Sequence, residues 1–168
     1  HLKIHTQYSI CEGALKIDEL KDYCKNNKVK CLGLSDTSNL FGALEFSEAI
    51  SKSGTQPIVG TQINFKFKEI AGLIPLIALN ENGYKKLIEL SSKSYLKSEI
   101  DTEPVCSIED LFEKKDGLVV FSGTIFGLIG KLFNSGKYDY IEEIYQILSL
   151  TYKENFYLEI QRHNDENE

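Results

Sequence analysis

The stretch CLGLSDTSNLFGALEFSEAISKSGTQPIVGTQINF, residues 31–65, decides the fold class. Its first six residues form a short apolar run that ends on an acid, Asp36. From Asn39 a helical spacing takes over, with Leu40, Ala43, Leu44 and Ile50 on the expected inward face and Gly54 as the stop. QPIVGTQINFKF, residues 56–67, then reads as a strand broken at Gly60. Strand, helix and strand follow one another within 37 residues, counted from 31 to 67.

The same alternation extends outward. His1–His5 alternates with Leu2 and Ile4 like a strand, and KIDELKDYCKNN (16–27) places Ile17, Leu20 and Cys24 at helical spacing. IPLIALN (74–80) is a strand whose Asn80 can N-cap a helix carrying Tyr84, Leu87 and Ile88. Ser107 and Asp110 have the spacing of a capping box. GLVVFSGT (117–124) is a further strand. Two helices follow, the second with Ile141, Ile144, Tyr145 and Leu148 on its apolar face, and NFYLEIQRH (155–163) is the last strand. Alternating units of this kind imply an α/β fold, and 168 residues suit a single domain over 1–168.

Composition narrows the function. The net charge of −6, with lysines scattered among acids, leaves no basic stripe of the kind a self-sufficient nucleic-acid binder carries. No apolar run approaches the ~20 residues of a membrane span, and there is no signal peptide, so no membrane partner is expected. Cys11, Cys24, Cys31 and Cys106 contain no C-x-x-C pair and read as reduced, buried thiols, which fits a cytoplasmic setting. The chain starts inside a strand pattern without a methionine, and the expectation is a piece of a longer protein.

Polar residues fall where several strands stop: His5, Asp36, Gln62, Ser122 with Thr124, and His163. In parallel α/β folds, ligands bind outside the carboxyl ends of strands, so these positions are expected to share one rim.

HLKIHTQYSICEGALKIDEL, GLSDTSNLFGALEF, QPIVGTQINF, IALNENGYKKLIELSS, GLVVFSGTIFGLIGKL and ENFYLEIQRHN, in this order and spacing, resemble the PHP (polymerase and histidinol phosphatase) domain. The version they resemble is the one at the N-terminus of bacterial DNA polymerase III alpha subunits. The resemblance implies a distorted (βα)7-type barrel, here C-terminally truncated, with the closing strands beyond Glu168.

It also implies a metal centre whose ligands are largely missing here. The family's His-x-His falls on Lys3 and His5; His1 is not a ligand position. The acid after Tyr-Ser falls on Glu12, the Asp on Asp36 and the His after it on Thr37. The expected Glu is Gln62, the next His is Leu73, the Cys or equivalent is Thr124, and the late His is kept as His163. An ammonium at Lys3 only donates hydrogen bonds, Gln62 has lost its charge and Leu73 has no donor atom. Divalent ions need several anionic or imidazole ligands, so no polynuclear centre and no cofactor are expected in this domain. His5, Glu12, Asp36 and His163 are the residual candidates for one weakly held ion. The Lys3 ammonium is expected to pair with Asp36 or Glu12. Asp36 has an alternative role as a cap for the helix starting near Asn39, and His5 as a hydrogen-bond partner of Asp36 or a carbonyl.

By the same resemblance, the full-length protein performs template-directed DNA synthesis with Mg2+ at a polymerase site outside this fragment. The domain itself acts as a scaffold and as a docking surface for a proofreading exonuclease subunit, alongside other replicase subunits and DNA. The rival is a metal-dependent phosphoesterase or 3′–5′ exonuclease acting in the PHP domain. No phosphate-binding Gly-rich loop is present, and the tyrosines and phenylalanines fall mostly at core spacing.

Overall fold

The computed structural model describes residues 1–98, 102–113 and 115–161. Its elements run α1 (Ile17–Asn27), β1 (Cys31–Thr37), α2 (Ala43–Lys52), β2 (Gln56–Phe67), β3 (Ile70–Ala78) and α3 (Glu81–Lys97). Then come β4 (Cys106–Ser107), α4 (Ile108–Phe112), β5 (Leu118–Phe121), α5 (Leu128–Asn134), α6 (Tyr138–Tyr152) and β6 (Phe156–Tyr157). The α/β class holds. Among the described residues no helix is long and apolar enough to cross a membrane.

One sheet runs in the order β1-β2-β3-β5-β6, with β4 beside β2. It is mixed: β1 and β2 are parallel, as are β5 and β6, whereas β3 runs antiparallel to both its neighbours. The N-terminal segment lies parallel to β1, with Ile4 N donating to the Gly33 carbonyl and Ser35 N to that of Ile4. Lys3 at this end reaches Glu159, just past β6 at the other. The sheet therefore curls until its two edges approach one another, as an incomplete barrel does.

Two apolar clusters hold the layers together. Ile17, Leu20 and Cys24 of α1 pack with Leu32, Leu34, Phe46 and Ile50 on the β1 side. Phe65, Ile74, Leu76, Leu87, Leu90, Val120, Leu132 and Ile144 build the larger cluster under α3, α5 and α6. The capping expectations are met. Asn80 accepts from Gly83 N at 3.0 Å, and Ser107 and Asp110 form a reciprocal box at the start of α4.

Several expectations are corrected. β2 continues through Gly60 without a break. α2 begins at Ala43, so its inward stripe is Ala43, Phe46 and Ile50, and Leu44 stands 72 % exposed. Tyr84 and Ile88 lie on the outer side of α3, and Tyr145 is exposed on α6. The last strand is two residues long rather than nine, and His163 lies outside the described residues. All four cysteines are free thiols; Cys24 and Cys106 are buried, while Cys11 is exposed.

Candidate functional site

Asp36, next to last in β1, is fully buried, and both of its oxygens are engaged. Oδ1 accepts from Thr6 N at 2.6 Å and Ser9 Oγ at 2.7 Å; Oδ2 accepts from Thr6 Oγ1 at 2.7 Å. This carboxylate clamps the 6–13 loop onto the sheet. It does not cap α2, whose N-cap is Gly42 with no side-chain bond. Nor does it bond His5. Gly13 closes the loop where a Cβ would lie 2.0 Å from the Thr6 carbonyl oxygen, so no other residue fits without moving the backbone.

Above the clamp opens a cleft of about 400 Å3, lined among others by Lys3, His5, Glu12, Gln62, Leu73 and Thr124. The mixed sheet brings them together differently from a parallel one. Gln62 pairs with Pro75, so the antiparallel β3 delivers Leu73 from mid-strand rather than from its end. Thr37 stands beside the cleft and links two of these residues: its hydroxyl donates to Glu12 and accepts from Gln62 Nε2 at 2.8 Å.

His5 Nδ1 lies 3.9 Å from Glu12 Oε2 and is buried without a hydrogen-bond partner. Burial lowers its pKa below the usual histidine value. Glu12 pulls the other way, and the Lys3 ammonium adds to the lowering. The imidazole is therefore neutral at pH 7.

Lys3 does not pair with Asp36 or Glu12. Its Nζ donates to Glu159 Oε1 at 3.1 Å. For Asp36 the reason is occupancy, since Thr6 and Ser9 fill its buried oxygens. Glu159 escaped the sequence reading. The only signal was an acid inside an otherwise apolar stretch, FYLEI at 156–160.

As a metal centre the arrangement fits poorly. An ammonium and an alkyl side chain line the cleft, the amide of Gln62 is turned to donate, and Asp36 has no accessible oxygen. Among the described residues no group of three or more His, Cys, Asp and Glu side chains is placed to hold an ion.

The family model described as PHP domain matches residues 1–163. DNA polymerase III subunit alpha of Caulobacter vibrioides is 35% identical over 97% of this chain, and that of Buchnera aphidicola is 35% identical over 100% of it. In both cases the chain spans about 15% of the relative's length. A putative metal-dependent phosphoesterase from Bifidobacterium adolescentis overlays 82% of this chain and 50% of its own, with 16% sequence identity and a TM-score of 0.42.

Proposed function

The chain belongs to the PHP domain family, and from that premise we propose that it is a non-hydrolytic PHP domain serving a replicative DNA polymerase. On this reading residues 1–168 form one domain, and its metal centre has decayed at Lys3, Thr37, Gln62, Leu73 and Thr124. The protein that carries it synthesises DNA with Mg2+ bound elsewhere, in the cytoplasm. The domain's own work is architectural: to support the polymerase core and to dock a proofreading exonuclease subunit beside other replicase subunits.

The observation that carries the reading is the Lys3 ammonium on the cleft wall, held there by its pairing with Glu159. The Lys3 ammonium has no lone pair to give a divalent ion, and Leu73 offers that ion nothing either. Homology to DNA polymerase III subunit alpha supports the polymerase setting.

The test is metal analysis of protein purified without chelators, together with phosphatase and single-stranded DNase assays. Substoichiometric metal and no turnover are expected. Stoichiometric zinc or manganese, with activity lost in His5→Ala, supports the rival phosphoesterase or exonuclease instead. The unpartnered Nδ1 of His5 near Glu12 is what favours that rival. The docking role is tested separately, by binding of the cognate exonuclease subunit.

A further inference from the structure

A second cleft, of about 440 Å3, opens on the other side of Glu12 and Leu73. Its size falls within the ~300–1,000 Å3 of ordinary ligand clefts. Phe41, Tyr95 and Phe126 line it, and they are 73%, 51% and 73% exposed. None of the three stacks on another ring among the described residues, unlike Phe133 with Tyr138 or Tyr145 with Phe156. Large aromatic faces left in water around a concavity mark a binding surface.

The polar lining of this cleft mixes donors already spent within the protein, such as Asn39 Nδ2 and the Thr37 hydroxyl, with two carboxylates. Glu12 and Glu103 contribute carboxylates. Asn64, only 7% exposed, donates through Nδ2 to Glu103 Oε2 at 3.3 Å, while its Oδ1 is buried with no hydrogen-bond partner. A buried acceptor left without a donor is costly unless something supplies one. The one ammonium lining the cleft among the described residues, Lys131, donates to the Ala71 carbonyl at 3.1 Å.

Exposed aromatic faces beside carboxylates together match one side chain. A guanidinium is planar, stacks on rings and carries five donors, whereas an ammonium has no face to stack and a phosphate meets like charge. We propose that this cleft is an interaction surface for a protein segment that presents an arginine side chain, stacked against Phe41 and Phe126 and hydrogen-bonded to Glu103, the carboxylate that Asn64 holds in place. The proposal does not depend on the metal centre being decayed or on which subunit docks.

The test is anisotropy of a labelled, end-blocked Gly-Arg-Gly-Arg-Gly peptide titrated with the full chain, beside Lys and Glu versions and a dT8 oligonucleotide. The Asn64 side-chain amide is followed by NMR. The arginine peptide should bind saturably, tighter than the lysine version, and shift the Asn64 resonance. Phe41→Ala, Phe126→Ala and Glu103→Gln should each weaken binding about three- to tenfold. Both phenylalanines are exposed, so their removal leaves the fold intact. Glu48→Gln, outside the cleft, should change nothing. No saturable binding overturns the proposal. So does equal binding of arginine and lysine peptides that ignores both phenylalanines, which is diffuse attraction to an acidic chain. Tighter binding of dT8 or of the Glu peptide with the same Asn64 shift also overturns it.

Discussion

Lys3 and Glu159 lie 156 positions apart and are joined at 3.1 Å across the mouth of the curled sheet. Both are partly buried, with side chains 21% and 13% exposed; Glu159 Oε1 also accepts from Gln161 Nε2 at 2.8 Å, and Oε2 has no donor. The pair ties the N-terminal segment beside β1 to the segment after β6. It places a positive charge in the cleft without leaving that charge unbalanced.

Breaking the pair from one side therefore leaves a partly buried carboxylate without its counter-charge, held only by Gln161. Lys3→Met should cost about 1–3 kcal/mol in urea unfolding, less than a fully buried pair because solvent still reaches both ends. The double variant Lys3→Met/Glu159→Gln should recover part of that loss. A coupling energy indistinguishable from zero would show that the pair does not hold the two edges together.

Asp36 is expected to behave as a structural residue. Asp36→Ala leaves Thr6 and Ser9 donors unpaired in the interior and should cost about 2–4 kcal/mol, through loss of charge-assisted hydrogen bonds. Differential scanning calorimetry reads the loss directly. The same substitution should leave metal content unchanged, since Asp36 offers no free oxygen.

Gly13→Ala tests the loop that carries Glu12. The added Cβ meets backbone at 2.0 Å and cannot be relieved by rotating a side chain. A loss of roughly 1–3 kcal/mol is expected, with altered chemical shifts confined to residues 5–13 and their partners on β1. A neutral outcome in both measurements contradicts the close packing described here.

Acid stability should report Asp110. Burial alone would raise its pKa, but hydrogen bonds from Lys97, Lys93 and Ser107 outweigh burial and hold it at about 2, below the usual 3.8. The folded state therefore binds the proton more weakly than the unfolded chain does. The stabilisation is complete above about pH 4 and is lost as pH falls toward 2. After allowance for the exposed lysine ends it amounts to about 1–2 kcal/mol. Asp110→Asn should flatten the stability profile in that window and leave the profile above pH 5 parallel to that of the parent.

Restoring ligands should restore metal. Lys3→His, Gln62→Glu and Leu73→His together replace an ammonium, an amide and an alkyl group with donors in the same cleft. The triple variant should retain zinc or manganese through desalting, measured by plasma mass spectrometry, at a level well above the parent. If it stays as poor in metal as the parent, the missing ligands are not the reason for weak binding.

Sequence alone settled what depends on local spacing. Ile17, Leu20 and Cys24 define α1, the apolar run from Cys31 defines β1, and the Asn80 and Ser107–Asp110 signals start α3 and α4, because caps and periodicity act over a few residues. The family resemblance put Lys3, His5, Glu12, Asp36, Thr37, Gln62, Leu73, Thr124 and His163 on one list; six of them line one cleft, Asp36 and Thr37 are not in its lining, and His163 lies outside the described residues. Tertiary structure alone decided the antiparallel sense of β3, the turn before α2 that puts Leu44 in water, and the partner of Lys3. Each of those turns on competition across the fold: which strand edge is free, which face finds a core, and which carboxylate still has an oxygen to offer once Thr6 and Ser9 have taken those of Asp36.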